Sequence, residues 1–492
     1  MACASTINLV SWVFSFFAAA AMVCIIFFLA RKKSCSKNKK ELPPGEMGIP
    51  WFGETIQFLK AQRKNRLFED FFQPRVTKHG KIFKTSLFGS STVVMNGAEA
   101  NRFVLSNEFK LVISSWPSSS VQLMGKDCIM QKQGEQHRFL RGLISTTLSQ
   151  SAGMEALVPK ICNTVQLHLD RYWRGQDRLH LYRSAKILTF TIVFESLLGI
   201  KVEAGMLESF ERVLEGVFAP AVSFPGSRFS RAKKARMGIQ KMLVKVVREK
   251  RMEMEGGRQD GDHHDHHHHH HQEGMLLSQL VAGMIRGDIT EEEVIDNVVL
   301  LVFAAHDTTS FAIAMSFKLL AQYPNSHSLL LQEHVDIMRE KKSGEVLRME
   351  DIKKMKYTWQ VARESMRLFP PIFGSFRKAV ADIEYDGFTI PKGWKVLWTA
   401  YGTHYNEEYF KDPLSFNPSR FEEHIPPYAF LPFGGGPRVC AGYQLAKLNI
   451  LVFVHFVVTR YDWSLLCPDE SITVDPLPFP SHGMPIKISP KL

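Results

Sequence analysis

The sequence predicts a mainly α-helical protein with a smaller β region, preceded by one N-terminal transmembrane helix. Outside a few breaks, apolar residues recur at helical spacing along the 492-residue chain. Shorter extended runs, bounded by glycine and proline, occupy residues 81–95 and 387–400. A composition of 45% hydrophobic and 22% charged residues excludes a disordered chain. Seven cysteines without a C-x-x-C pair indicate neither a disulfide framework nor a structural zinc site.

The N-terminal region, residues 1–30, is predicted to be a membrane anchor. Residues 7–30 carry no charge, and about 20 apolar residues suffice to cross the hydrocarbon core as a helix. The alternative is a cleaved signal peptide, but no lysine or arginine precedes Arg31. Residues 31–50 form a basic, proline-rich linker, whose positive charges place the following chain in the cytosol. The rest of the net charge of +12 permits an acidic partner surface, and no nucleic-acid partner is expected.

Residues 51–492 are expected to form one large domain. Within it, residues 253–274 are rich in histidine and poor in apolar side chains, which predicts a mobile loop. Its histidines could bind metal ions, but unordered histidines select no particular metal. Thr290 followed by Glu293 is a capping-box pattern, and the apolar segment that it opens runs to about Gln322. This pattern predicts a long central helix.

The glycine-rich stretch PFGGGPRVCAG, residues 432–442, precedes a helix-compatible run. At a helix start, the dipole and the free backbone amides favour a thiolate at Cys440. Glycines allow sharp turns and a close approach to a flat ligand, and Arg438 supplies a positive charge. Two other interpretations stay open at this point. An unpaired cysteine is usually a buried hydrophobic residue, and a glycine-rich loop can cradle phosphate, although the lysine of the Walker pattern is missing.

Five residues in this stretch carry a family resemblance. Phe433, Gly436, Arg438, Cys440 and Gly442 fill every fixed position of the pattern F-x-x-G-x-R-x-C-x-G. The chain therefore resembles the haem-thiolate monooxygenases of the cytochrome P-450 superfamily over nearly its whole length. The resemblance implies the cytochrome P-450 fold for residues 51–492, and it implies haem b with Cys440 as its axial iron ligand. A thiolate ligand pushes electron density onto haem iron and favours cleavage of the O–O bond.

The hexapeptide AAHDTT, residues 304–309, places an acid and two alcohols within the predicted central helix. On helix physics alone, Thr308 is expected to donate its hydroxyl to the carbonyl of Ala304 without any chemical role. Beside the cysteine pattern, the hexapeptide resembles the family's oxygen-activation motif. The resemblance implies that Asp307 and Thr308 are catalytic and help to deliver protons. Ala305 departs from the commonest pattern, which has glycine there, and His306 occupies a variable position to which no role is assigned.

A second pair of motifs concerns ion pairs. Glu364 and Arg367 lie three residues apart on a predicted helix, a spacing that is usually worth only ~0.2–0.5 kcal/mol. Their E-x-x-R pattern, and the P-x-R-F pattern that contains Arg420, resemble the family's structural motifs. Together they imply a three-membered ion network that braces the cysteine loop.

Haem carries two propionates, so its pocket needs cations at the edge. His137 and Arg141 resemble the family's helix-C pattern and would face one propionate, since their spacing places both on one side of a helix. Arg377 resembles another propionate-binding arginine, and Arg438 completes the set. Taken alone, each would be an ordinary surface residue.

The predicted function is that of a membrane-anchored monooxygenase. More narrowly, the motifs LPPGEMGIPWFGET, FPGSRFSRAKKAR and AAHDTT resemble the plant group of triterpenoid, diterpenoid and brassinosteroid oxidases. The resemblance implies a hydrophobic terpenoid or sterol substrate, electrons from NADPH through a separate reductase, and single-pass anchoring in the endoplasmic reticulum with the catalytic domain in the cytosol. By the same resemblance, substrate contacts come from residues 116–124, 218–224, 303, 372–376 and 479–484.

Two rival functions remain open from the sequence. A haem-thiolate isomerase or dehydratase would need no external electrons, and a non-catalytic haem sensor would need no proton delivery. Thr308 beside Asp307, and the standard spacing from Phe433 to Cys440, argue against the isomerase, whereas oxygen-dependent product formation with a reductase would exclude the sensor.

Overall fold

The structure is a computed structural model and describes residues 41–256, 276–342 and 345–491. The predicted anchor, residues 1–30, and the first part of the predicted linker lie outside the described residues. Most of the predicted histidine-rich loop also lies outside them. The chain divides by contacts into a large unit, residues 44–383 and 391–491, and a small one that contains residues 41–43 and 384–390.

Helices dominate the described chain, as the sequence predicts. The α-helices are α1 (Thr55–Arg63), α2 (Gln73–His79), α3 (Ala98–Ser106), α4 (Ser118–Met124), α5 (Gly134–Leu148), α6 (Ser151–Tyr172), α7 (Leu181–Thr191), α8 (Met206–Val217), α9 (Arg228–Gly256), α10 (Leu276–Ile285), α11 (Glu291–Gln322), α12 (Pro324–Arg339), α13 (Met349–Lys354), α14 (Lys356–Leu368), α15 (Tyr401–His404) and α16 (Tyr443–Val458). Two π-helical segments, Phe68–Phe72 and Ile192–Leu198, adjoin α2 and α7. Because α9 extends to Gly256, the first four residues of the predicted loop are helical rather than mobile.

The central helix α11 follows the sequence prediction closely. Thr290 accepts a hydrogen bond from the backbone amide of Glu293, and the Glu293 side chain accepts one from Thr290 in return. This reciprocal cap satisfies two amides that a helix start leaves free. Among the residues that the structure describes, α11 is the one helix that is long and apolar enough to cross a membrane. Since 72% of its most apolar window is buried inside the protein, it serves here as a core helix.

The β region is small. Its strands are β1 (Ile82–Leu87), β2 (Ser90–Met95), β3 (Val112–Ser114), β4 (Arg178–His180), β5 (Gly374–Ala379), β6 (Ile383–Tyr385), β7 (Phe388–Ile390), β8 (Lys395–Thr399), β9 (Tyr461–Leu465), β10 (Ile472–Val474), β11 (Pro478–Pro480) and β12 (Pro485–Pro490).

The largest sheet has the strand order β1-β2-β8-β5-β3, in which only β2 and β8 are parallel. A three-stranded sheet has the order β4-β12-β9, and β10–β11 and β6–β7 form two-stranded pairs. The extended run predicted at residues 81–95 is a hairpin, whose turn places Phe88 and Gly89 at positive φ.

The main hydrophobic core surrounds α11 and α16. A second, aromatic cluster packs α1 against the large sheet, where Phe58 contacts Phe71 and Phe72 edge to face. Each buried phenylalanine contributes about 1.5–3 kcal/mol of transfer free energy. The two clusters hold the helical region and the large sheet, the two parts of the fold that supply the candidate site.

Candidate functional site

Cys440 lies in the loop between the short 3₁₀ turn Gly436–Arg438 and helix α16. The turn requires glycine at position 436, because φ is +66° and a Cβ there would lie 2.1 Å from the carbonyl oxygen of Leu105. The backbone amide of Cys440 donates to the Phe433 carbonyl at 2.9 Å and closes the loop. Protein surrounds the cysteine on most sides, yet its side chain is exposed. The thiol therefore faces an open space.

Opposing effects act on the pKa of the Cys440 thiol in the protein without a bound metal. Burial raises the pKa of the thiol, whereas the Gly442 backbone amide and the Arg141 guanidinium lower it. The helix start alone thus does not make a thiolate, because loss of hydration costs more than the amide and the cation return. A bound metal ion would deprotonate the sulfur outright.

Helix α11 is accessible at one place in an otherwise buried middle section. Ala304 is exposed and Thr308 is half-buried, while Phe303, His306 and Asp307 are buried. The Thr308 hydroxyl donates to the Ala304 carbonyl at 2.6 Å, the bond expected from helix physics. Helices α11 and α16 pack against each other. Ala304 and Thr308 therefore lie on a helix that contacts the helix opened by the Cys440 loop.

The carboxylate of Asp307, on α11, faces α7. Its Oδ1 lies 3.0 Å from the Lys186 ammonium, and its Oδ2 lies 3.1 Å from Nε2 of His306. Lys186 also pairs with Glu211 at 2.7 Å. Asp307 is therefore the inner end of a charged chain that reaches partly exposed residues on α7 and α8.

Two of the predicted propionate arginines meet at a glutamate. The Nε atoms of Arg377 and Arg438 donate to the two carboxylate oxygens of Glu108, at 2.5 and 2.6 Å. The amide of Ser114 also donates to Glu108, at 3.0 Å. The Nη groups of Arg438 donate to three backbone carbonyls between positions 129 and 132, at 2.7 to 3.3 Å. Burial lowers the pKa of Arg377, while Glu108 raises it.

His137 and Arg141 lie on α5 beside this cluster. Arg141 donates to the carbonyl of Val439, the residue before the cysteine. The buried imidazole of His137 contacts the ring of Phe109 at 5.1 Å, and the same ring carries the guanidinium of Arg438 at 4.8 Å. Burial, and then the nearby guanidinium groups of Arg438 and Arg141, lower the pKa of His137 to about 4. The imidazole is therefore neutral at physiological pH.

The residues present fit a haem. Within the described chain, Nη2 of the buried Arg377 has no hydrogen-bonding partner, so two N–H groups remain for an anion. Arg377 and Arg438 at Glu108, together with Arg141 on the neighbouring α5, leave two positive charges in excess, which matches two propionates. A Cβ at Gly442 would meet nothing but the Cys440 sulfur, at 3.9 Å, so that side of the loop is open to a flat ring. Phe433 supports the loop by packing edge to face on Tyr443 at 4.8 Å.

The structure brings Glu364, Arg367 and Arg420 together. Arg367 donates to both oxygens of Glu364, at 2.7 and 2.8 Å, and Arg420 donates to one at 2.9 Å. Their further donors go to backbone carbonyls between positions 404 and 415, so the network braces that segment directly. The cysteine loop is reached through His404, whose Nε2 accepts the amide of Leu431 at 2.9 Å. The bracing is therefore less direct than the motif implies.

A buried ion pair without a motif lies near the start of α11. Arg236 Nη2 and Asp296 Oδ1 are 2.6 Å apart, and Asp296 Oδ2 accepts the backbone amide of Asp127 at 3.1 Å. Gly125, at φ +105°, leaves no room for a Cβ, which would lie 2.0 Å from Asp296 Cγ. Residues 125–132 are thus fastened to α11 at one end and, through their carbonyls, to Arg438 at the other.

Sequence reasoning missed Glu108, Lys186 and the pair Arg236–Asp296. None belongs to a recognisable short pattern, and each acts on a residue far away in the sequence, so no local signal marks it. Among the predicted substrate contacts, Phe303 is buried and packs at a tilted angle on Phe210, with the ring centroids 5.3 Å apart. Phe218, Phe224 and Ile372 are exposed.

The chain is similar to known proteins over nearly its whole length. A family model described as Cytochrome P450 matches residues 43–488. A taxane 13-alpha-hydroxylase of Taxus cuspidata is 38% identical over 480 residues, which are 95% of this chain and 96% of that protein. A beta-amyrin 28-monooxygenase of Barbarea vulgaris is 36% identical over 480 residues, covering 96% and 98%. A solved structure, retinoic acid-bound cyanobacterial CYP120A1, superposes with a TM-score of 0.80 at 30% identity, covering 92% and 100%.

Proposed function

Because the chain belongs to the cytochrome P450 family, we propose that this monooxygenase hydroxylates, or oxidises further, a hydrophobic terpenoid at a haem held by Cys440. The observation that carries the proposal is the exposed Cys440 thiol, which faces an open space inside the protein at the start of α16.

Each residue around this space has a distinct part in the proposed reaction. Haem bound through Cys440 supplies the electron-rich iron at which dioxygen is activated. Arg377 Nη2 and the neighbouring arginines bind and orient its propionates. The Thr308 hydroxyl would hold a proton at Oγ1 in the accessible part of α11, where it donates to the Ala304 carbonyl. Asp307 would connect α11 to Lys186, with which it forms an ion pair at 3.0 Å.

The substrate class rests on the relatives and on the chemistry of the space. Two of the proteins reported above are named for a taxane and for beta-amyrin, and both match nearly the whole chain. The accessible Ala304 and the partly accessible Ala305 offer an apolar surface without charge on α11. A polycyclic hydrocarbon skeleton suits such a surface because it needs no polar partner. A sterol remains within the same proposal.

Anchoring and electron supply complete the proposal. We place the enzyme in the endoplasmic reticulum membrane through residues 1–30, with its catalytic domain in the cytosol. Electrons come from NADPH through a separate reductase. In support, the chain carries no glycine fingerprint for a dinucleotide before a helix.

The test is incubation of microsomes containing the full-length enzyme and a reductase with a panel of terpenoid and sterol skeletons, analysed by mass spectrometry. We expect an oxygenated product that requires both NADPH and dioxygen. In Cys440→Ser, product and the red-shifted Soret band of the reduced carbon monoxide complex should both disappear, because a hydroxyl replaces the thiolate ligand. Product formed without NADPH would indicate an isomerase, and a normal band without any product would indicate a sensor.

Thr308→Ala tests the role of the hydroxyl. The band of the carbon monoxide complex should persist, whereas product formation should fall on the order of tenfold or more, with electrons diverted to peroxide. Val substitution at the neighbouring, buried Thr309 is the matched control and should change this coupling far less. Unaltered coupling in Thr308→Ala would contradict proton delivery by this residue.

A further inference from the structure

Residues 115–128, which we call the α4 loop because helix α4 lies within them, begin and end at the same place. Just before the loop, the amide of Ser114 donates to Glu108 at 3.0 Å. Just after it, three carbonyls between positions 129 and 132 accept hydrogen bonds from Arg438. Glu108 and Arg438 are themselves paired at 2.6 Å. Both ends of the α4 loop therefore lie at the arginine cluster that is proposed to hold the haem propionates.

The middle of the α4 loop is attached to the end of helix α8. The hydroxyls of Ser119 and Ser120 both donate to the carbonyl of Val217, the last residue of α8, at 2.9 and 2.7 Å. Helix α4 also packs against α9 and α11. The α4 loop thus extends from the arginine cluster to the helix that carries Ala304 and Thr308.

One buried ion pair fixes the second half of the α4 loop. Nη2 of Arg236, on α9, lies 2.6 Å from Oδ1 of Asp296, on α11. Nε of Arg236 donates to the carbonyl of Leu123, in the last turn of α4, at 3.0 Å. Oδ2 of Asp296 accepts the amide of Asp127 at 3.1 Å. The pair therefore connects two long helices to both the end of α4 and the residues that follow it.

The α4 loop has little freedom beside this pair. At Gly125, φ is +105°, and a Cβ would lie 2.0 Å from Cγ of Asp296, so the loop backbone lies directly on the carboxylate. The neighbouring Asn297 accepts the amide of Ile129 at 2.9 Å. Two successive side chains of α11 thus determine where the end of the α4 loop lies.

Stability alone does not explain why charged residues occupy these positions. Burial raises the pKa of Asp296, whereas the Asp127 amide and Arg236 lower it. Burial likewise lowers the pKa of Arg236, which Asp296 raises. The loss of hydration offsets much of the attraction in such a pair, so an apolar pair of similar volume is often as stable. An apolar pair cannot, however, accept a hydrogen bond from a chosen backbone amide.

We propose that Asp296, oriented by Arg236, is a positioning residue that holds the α4 loop against α11 and thereby sets the size of the ligand accepted at the haem. This inference rests on the proposed function, because it takes the space at Cys440 as the binding site. It assigns selectivity for ligand size to a residue that belongs to none of the predicted substrate contacts.

The test uses imidazole and 1-benzylimidazole as iron ligands of different size for the full-length haem enzyme. Both coordinate iron through an imidazole nitrogen, so the ratio of their dissociation constants reports the contacts of the benzyl group with the protein. In Asp296→Asn, the single amide oxygen replaces one carboxylate oxygen, and the amide N–H groups face a donor at the other position. We expect the preference for 1-benzylimidazole to fall about tenfold and the affinity for imidazole to stay unchanged, both measured by the Soret shift.

Asp351→Asn is the matched control. Asp351 pairs with Lys341 at 2.7 Å, both side chains are 11% exposed, and the carboxylate also accepts a backbone amide, that of Arg348 at 2.8 Å. These partners all belong to α13 and the connection before it. The preference for 1-benzylimidazole should therefore equal that of the unmodified enzyme. An equal fall in Asp351→Asn and Asp296→Asn would overturn the proposal, because loss of any buried pair would then suffice.

A second variant separates positioning from the effect of an unpaired charge. Arg236→Met combined with Asp296→Leu leaves neither charge of the pair buried alone, so we expect it to fold and to keep the carbon monoxide band. Its preference for 1-benzylimidazole should still fall, because the amide of Asp127 loses its acceptor. A preference equal to that of the unmodified enzyme, in this variant or in Asp296→Asn, would overturn the proposal.

The remaining outcomes are distinguished by the spectra. Loss of the carbon monoxide band in both variants would assign the pair to folding and overturn the positioning role. Failure of imidazole to shift the Soret band of the unmodified enzyme would instead refute the proposed function itself.

Discussion

Two buried glutamates each bridge a pair of arginines, but the arginines differ in what they do with their remaining donors. Around Glu364, Arg367 uses all five N–H groups on the glutamate and on backbone carbonyls. Around Glu108, Arg377 keeps Nη2 without a partner in the described chain. We call the Glu364 cluster closed, because Arg367 uses all its donors, and the Glu108 cluster open, because Arg377 has donors left. The arginine N–H groups that have no partner, rather than the charges, thus indicate the role of such a cluster.

The largest expected effect separates the two glutamates. Glu364→Gln should lower the free energy of unfolding by about 3–5 kcal/mol, because it strands two buried guanidinium groups. Glu108→Gln should cost a comparable amount in the haem-free protein and clearly less with haem bound, since propionates can replace the lost charge. The measurement is urea denaturation of each variant with and without haem. If bound haem raised the free energy of unfolding of both variants equally, the distinction between closed and open clusters would be wrong.

An intermediate effect concerns the arginines themselves. Arg377→Lys should weaken haem binding about tenfold, because an ammonium cannot present the two free N–H groups of Nη2 while it stays on Glu108. Arg420→Lys is the matched substitution in the closed cluster and should leave haem affinity unchanged. Haem transfer to apomyoglobin measures both. If both lysine variants lost haem equally, Arg377 would have no special part in holding the cofactor.

Substitution of His137 is expected to change the free energy of unfolding least at neutral pH. Its pKa in the folded protein is about 4, below the value of 6.5 for an unperturbed histidine, so the unfolded chain takes up a proton first as pH falls. The folded state therefore loses stability on acidification between these two values and keeps it in full above them. In the haem-free protein, His137→Phe should flatten this acid loss and preserve the contact with Phe109. Identical pH profiles of unfolding would show that His137 is not the group responsible.

Local patterns predicted the parts of the site that depend on neighbouring residues. The capping box at Thr290 and the pairing of Glu364 with Arg367 are interactions over three residues, which helical geometry determines. The bond from Thr308 to the Ala304 carbonyl follows from the same geometry. The small β region was also predicted, although the turn within residues 81–95 was not placed.

Contacts between distant segments could not be predicted in this way. Glu108 meets Arg377 and Arg438 only because β3 pairs with β5, and α3 contacts the turn Gly436–Arg438, in the folded chain. Lys186 reaches Asp307 because α7 packs along α11. The effect of burial on the pKa of the Cys440 thiol could not be predicted from the loop either, since the loss of hydration comes from the whole fold.

The central helix α11 fixes the distance between two parts of the enzyme. Asp296, which fastens the loop from residue 125, and Thr308 are twelve positions apart on one uninterrupted helix, so about 18 Å of fixed length separates them. Deleting one residue between them would rotate Thr308 by about 100° relative to Asp296 and turn its hydroxyl to another face of the helix. A change of length in this stretch would therefore separate the fastened loop from the residue whose position depends on it.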